Sequence, residues 1–180
     1  MIRLSKGPTP MKITGCEFLH CDAGWRNFSF LKLLTDDGLV GISEYNESYG
    51  SKGLTAVIEA LVDILVGDNP CRHELASQKL YAITRQAHGG LNQQAIAAIE
   101  NAMLDIKARS LGVPVYDLLG GAVRTELPLY WSHCGTYRMT EENAKMMDRP
   151  HLANLDDLTA LGAEVRERGF TALKTNIFLF

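Results

Sequence analysis

From Ser51 onward the apolar residues of this 180-residue chain change their spacing, and that change limits what the chain can fold into. Before it, residues 12–20 and 28–34 carry the enriched aliphatic and aromatic runs of strands. Asp36-Asp37-Gly38 is a hairpin-type turn, and Leu39-Val40-Gly41-Ile42 follows as a third strand. Strands in sequence joined by short turns make an antiparallel meander. After Ser51, Leu54, Val57, Ile58, Leu61, Ile64 and Leu65 recur at helical spacing, until Gly67-Asp68-Asn69-Pro70 stops the run. A second helix is expected from His73 to Gln86. A third is expected from Asn92, as N-cap, to Ser110, with Ile96, Ile99, Met103 and Ile106 inward and Gly112 and Pro114 at its end.

Past Gly120-Gly121 the order becomes strand, helix, strand. Residues 127–131 are extended, a polar loop runs from Ser132 to Pro150, and 154–168 is amphipathic with Leu155, Leu158, Leu161 and Val165 inward. Residues 170–174 then form a strand. Two strands joined through a helix must run parallel, with a right-handed crossover. The chain therefore reads as an α+β domain, residues 1–124, followed by the opening of an α/β domain, residues 125–180. Parallel sheets are normally covered on both faces, and one helix cannot cover both, so the natural chain is expected to continue past Phe180.

Composition excludes several classes. A formal net charge of -3 with scattered charges gives no basic stripe, so nucleic acid is not an expected partner. The most apolar long stretch, residues 56–66, is interrupted by Glu59 and Asp63 and is too short to span a membrane. The N-terminus lacks an apolar signal core, which gives a cytoplasmic expectation. Cys16, Cys21, Cys71 and Cys134 show no metal-knuckle spacing and read as free thiols.

Lys174-Thr175-Asn176 falls at the C-terminal end of a parallel strand, where α/β barrels place their sites. Side chains alternate along a strand, so residues 174 and 176 share a face. An ammonium and a carboxamide together suit a carboxylate or sugar hydroxyls; alternatively, Lys174 only snorkels at a strand end. Ser132 and His133 end the preceding strand and carry the same argument. Ser132 could bond a ligand, and His133 could titrate, bind metal or be structural. Asp105, on the third helix, reads as a structural acceptor.

Two longer segments resemble a known family. Residues 95–121, with Ala98, Ala102, Asp105 and Ile106 on the helix and then Leu111-Gly112-Val113-Pro114 through Leu118-Leu119-Gly120-Gly121, resemble the signature of the mandelate racemase/muconate lactonizing branch of the enolase superfamily. Thr35-Asp36-Asp37-Gly38 through Glu44 is similar to the meander of that family's capping domain, and Tyr130–His133 and Gly169–Asn176 are similar to the ends of its first two barrel strands. The resemblance implies an α+β capping domain followed by the start of a (β/α) TIM-type barrel. It also implies abstraction of the proton α to a carboxylate and an enolate held by Mg²⁺, whose carboxylate ligands are expected beyond residue 180. No metal ligand or catalytic residue is assigned within the chain. Many members carry K-x-K at the second strand; here Asn176 replaces the second lysine. That pattern is similar to the galactonate dehydratase group and implies a sugar-acid dehydratase, with Lys174, Asn176 and Ser132 binding substrate and Trp25 and Arg26 lining a specificity loop. The implied partners are a small carboxylate or sugar-acid substrate and further copies of the chain. A racemase or cycloisomerase of the same family, or a non-catalytic binding or assembly module, remain the alternatives.

Overall fold

A computed structural model describes residues 11–24, 26–48 and 51–176; Trp25 lies outside the described residues. The chain divides into two compact units, Met1–Ala122 and Val123–Phe180.

The first unit opens with the meander β1 (Ile13–Asp22), β2 (Asn27–Thr35) and β3 (Val40–Tyr45), antiparallel and in sequential order. A register shift between Ile13 and Gly15 bends β1 at its start. The β2–β3 turn is held by the Thr35 hydroxyl, 2.6 Å from both Asp37 Oδ1 and the Leu39 carbonyl, while Gly38 takes φ +88°, a conformation glycine adopts without penalty. Every second residue of β2 from Ser29 to Thr35 is buried, which is the alternation a half-covered sheet requires.

Helices α1 (Leu54–Asp63), α2 (His73–Ile83) and α3 (Gly90–Leu111) complete this unit with the single turn α4 (Val115–Leu118). Leu31 and Leu33 of β2 pack in one core with Ile58 and Val62 of α1 and Ile99, Met103 and Ile106 of α3. Each such side chain contributes about 1.5–3 kcal/mol by leaving water. The expected inward faces of α1 and α3 are thus observed; the helix ends differ. Gly53 is left-handed at φ +89° and delays α1 to Leu54. Gly89, not Asn92, is the N-cap of α3; Asn92 lies inside the first turn, where its amide donates to the Ala87 carbonyl. At the other end Gly112, at φ +67°, closes α3 as its sequence position predicts.

β3 and α3 approach so closely that only glycine fits at position 41. A Cβ there would lie 2.1 Å from the Ala102 carbonyl oxygen and 2.7 Å from Ile106 Cγ1. The backbone oxygen has no rotamer by which to retreat. Asp105, one turn further, accepts the Ile42 N–H at 2.9 Å and is itself held by Arg109, confirming its structural reading. Gly41→Ala is therefore expected to destabilise the first unit by about 3 kcal/mol, the upper range for overpacking. A urea midpoint equal to wild type would contradict this geometry.

The second unit contains β4 (Tyr130–Ser132), a 3₁₀ turn (Thr136–Arg138), α5 (Glu141–Met146), α6 (Leu155–Glu167) and β5 (Ala172–Lys174). The polar segment expected as a loop from Ser132 to Pro150 therefore holds two short helical turns, the second capped by the Thr140 side chain. β4 and β5 pair in parallel, with Tyr130 opposite Ala172 and Ser132 opposite Lys174, as the strand–helix–strand order requires. α6 begins with a capping box: Asn154 accepts from the Asp157 N–H, and the Asp157 carboxylate accepts from the Asn154 N–H. Leu161 and Val165 bury against Cys134 and Leu152, with Trp131, Leu158 and Phe170 around them. Leu155, expected inward, is exposed because it is the first helical residue, ahead of the turn that faces this core. Among the described residues, no helix is long and apolar enough to cross a membrane.

Candidate functional site

The ends of the two parallel strands bring the sequence-predicted groups of the second unit together. Ser132 and Lys174 are register partners and both exposed. Asn176 lies two residues past the end of β5, so strand alternation does not set its direction. Instead its backbone N–H donates to Thr136 Oγ1 at 2.8 Å. The same oxygen lies 3.3 Å from His133 Nδ1 and 3.4 Å from Thr175 Oγ1. His133 takes φ +54°, the left-handed region, so it has left the strand and the alternation argument does not reach it. Gly135 makes this turn possible: a Cβ there would sit 2.7 Å from Thr175 Oγ1 and 2.9 Å from Leu161 Cδ2. Thr136 and Gly135 were not legible as site-forming in the sequence, because their partners are some forty residues away.

Beside this end lies an ion pair between a buried arginine and a partly exposed glutamate. Arg138 is only 2% exposed; its Nη1 donates to Glu164 Oε2 at 2.6 Å and its Nε to the Pro150 carbonyl at 3.0 Å. Glu164 also accepts from Arg168 at 3.2 Å. Burial works against the Glu164 carboxylate, but the Arg138 hydrogen bond and the nearby arginine charges outweigh it and hold the carboxyl below the usual glutamate range.

In the first unit, Arg26 pairs with Glu44 at 3.2 Å and its guanidinium lies 3.9 Å from the Phe28 ring centroid, which ties it to the sheet. A polar cluster that sequence reasoning missed sits after β3. The Glu47 carboxylate accepts from the Thr55 hydroxyl and from the Gly53 N–H at 2.7 Å. Thr55 has only one proton, so the Tyr45 hydroxyl, 2.7 Å away, is the donor between those two. Burial raises the Glu47 carboxyl, yet these hydrogen bonds prevail and keep it below its ordinary value.

Among the described residues, the two strand ends do not fit a magnesium site of three carboxylates. Neither β4 nor β5 carries one; Asp157 closes the α6 cap and Glu164 serves the arginines. In the first unit, His73, Glu74 and Glu100 bring one ligand atom each to within 4.8 Å of one another. A mixed imidazole–carboxylate set differs from the all-oxygen octahedron Mg²⁺ demands. Calorimetric titration of the 180-residue chain with Mg²⁺ is expected to give only weak, unsaturated binding; a tight stoichiometric site would contradict this.

Comparison with known proteins bears on these features. The sequence profile of the mandelate racemase / muconate lactonizing enzyme N-terminal domain matches residues 21–120. A D-galactonate dehydratase of Xanthomonas campestris pv. campestris (strain B100) is 35% identical over 154 residues, which is 84% of this chain and 36% of that protein. The chain thus spans about a third of the length of this curated relative. A crystal structure from Burkholderia xenovorans LB400, provisionally named an L-alanine-DL-glutamate epimerase, superposes with a TM-score of 0.84 at 48% identity, over 93% of this chain and 42% of that one. The same protein has been crystallised with magnesium and fumarate. An Agrobacterium radiobacter enolase provisionally named a galactarate dehydratase gives a TM-score of 0.69 at 30% identity, over 92% of this chain and 38% of its own.

Proposed function

Because this chain belongs to the mandelate racemase/muconate lactonizing enzyme family, we propose that the full-length protein removes the proton α to a carboxylate, and that its reaction is dehydration of a sugar acid. The observation that carries this reading is the strand end Lys174-Thr175-Asn176 beside Ser132. A carboxamide cannot abstract a proton, so Asn176 is a binding group where a second lysine would be a base. Lys174 grips the substrate carboxylate, and Asn176 and Ser132 take hydroxyls. A base on a later strand takes the C2 proton, and an acid there protonates the departing C3 hydroxyl, so that water is lost overall. The likeness to D-galactonate dehydratases supports this substrate class. Arg26, committed to Glu44, shapes the β1–β2 loop more than it contacts ligand; Trp25, outside the described residues, keeps its assignment to that loop.

The domain organisation follows: a capping domain to about residue 124, then the first strands of a barrel. The magnesium of this chemistry belongs to carboxylates of later strands, and the 180-residue chain alone is inactive. A second reading, proton transfer at C2 without loss of water, draws on the Burkholderia protein and its epimerase name. Incubating the full-length protein with Mg²⁺ and D-galactonate in deuterated water separates them. A 2-keto-3-deoxy acid is the expected product; deuterium at C2 of unchanged substrate would favour the second reading and remove the first.

A further inference from the structure

Three features of the β4 end have no role yet: the left-handed backbone of His133, the hydroxyl of Thr136 that touches it, and the Thr175 hydroxyl behind that. Left-handed φ is uncommon outside glycine, although histidine, asparagine and aspartate adopt it more readily than most, and such residues recur where a side chain must be aimed. The aim here is set by one oxygen. Thr136 Oγ1 has one proton to donate and two lone pairs. Asn176 N–H occupies one lone pair. The proton and the remaining lone pair are then divided between His133 Nδ1 and Thr175 Oγ1. Of the two directions the chain of contacts allows, the one with Thr136 donating to Nδ1 and Thr175 donating to Thr136 places the proton on the stronger acceptor, the imidazole nitrogen.

That arrangement leaves the ring with its proton on Nε2. We infer that His133 contacts substrate, its Nε2–H donating to a hydroxyl of a polyhydroxy acid, and that Thr136 is the positioning residue that fixes this tautomer. The inference rests on the sugar-acid reading for its ligand class. It fits the neighbourhood: Ser132 is the preceding residue, Lys174 is that residue's register partner, and the Asn176 backbone is tied to the same Thr136 oxygen. A purely structural His133 would keep the Thr136 contact and its tautomer but would have no reason to sense ligand.

The test uses full-length protein with ¹⁵N-labelled histidine, in mildly alkaline buffer, with D-galactonate as probe. Wild type is expected to show the Nε2–H tautomer at His133 and a shift of that resonance when D-galactonate is added. Thr136→Val should give a tautomer mixture and raise KM about ten-fold with little change in kcat, the loss expected for one hydrogen bond. Thr136→Ser should restore both. His133→Asn, which tolerates the left-handed backbone, should raise KM to a similar extent without unfolding the protein. A mixed or Nδ1–H tautomer in wild type, a resonance indifferent to D-galactonate, or failure of serine to rescue would each overturn the inference. If the protein turns over no sugar acid yet the Nε2 resonance responds, the reaction reading fails and this one stands. If turnover is found while His133→Asn leaves KM unchanged, the reverse holds.

Discussion

Lys174→Met in the full-length enzyme is expected to lower kcat/KM on its best sugar acid by roughly thirty-fold or more, with folding unchanged. An ammonium that merely snorkels costs about half a kcal/mol or less when replaced. One that grips a buried carboxylate costs on the order of 2–5 kcal/mol when truncated, by analogy with buried interface pairs, and each 1.36 kcal/mol is a factor of ten. In the 180-residue chain Lys174 is exposed, as is each residue of β5. The substitution should therefore leave this chain's own stability within surface-mutation noise. Steady-state dehydration kinetics decide the matter: near wild-type turnover would return Lys174 to a structural residue and take the assignment of the strand end with it.

Arg138→Met is expected to destabilise the second unit. Removing Arg138 leaves a partly exposed Glu164 and an unsatisfied Pro150 carbonyl, so the expected cost is about 2–3 kcal/mol, below that of a fully buried pair. Here Glu164 would keep only Arg168 as a bonded partner, and the Pro150 carbonyl would lose its donor. Urea unfolding followed by Trp131 fluorescence reads this unit, since the indole packs with Phe170 against its core and lies under Arg168. The double change Arg138→Met with Glu164→Leu should recover much of the loss, because a well-filled apolar pair avoids desolvating either charge. The pair also sets an acid limit. The folded Glu164 carboxyl binds its proton less readily than the unfolded one, so its stabilisation is complete above the ordinary glutamate value of about 4.3. It is lost as pH falls through the lower folded value. In Arg138→Met that acid dependence should shrink; an unchanged acid profile would show that the arginine does not hold the carboxylate.

Much of this molecule was legible because its regularities are local. The alternation of β2, the Asp36-Asp37-Gly38 turn and the inward stripe of α3 each need only neighbours in sequence. The parallel pairing of β4 and β5 followed from connectivity, since a helix between two strands leaves no other economical arrangement. What escaped depends on atoms distant along the chain. Nothing near Asn92 says that Gly89 already caps the helix, because the cap is a backbone conformation rather than a side chain. Arg138 reads as a loop residue until Glu164 is brought to it across the crossover. The strand-end candidates Ser132 and Lys174 were named from position, and the fold brings them opposite each other. The Thr136–Thr175 contact that organises their surroundings has no sequence signature.

The Asp105–Ile42 contact has a further consequence, for how the sheet avoids edge-to-edge strand pairing. β3 is an outer strand of the meander, and outer strands expose N–H groups that another chain can pair with. A carboxylate from α3 already occupies the Ile42 N–H, so the helix that packs on the sheet also closes part of its open side. At the opposite border, Ile13 exchanges backbone bonds with Gly67 and Asp68 at 2.8 and 2.9 Å, covering the start of β1. The meander is thus blunted at both borders by the helical half of the same unit. Protection against strand-to-strand aggregation is built from the contacts that also set the position of α3.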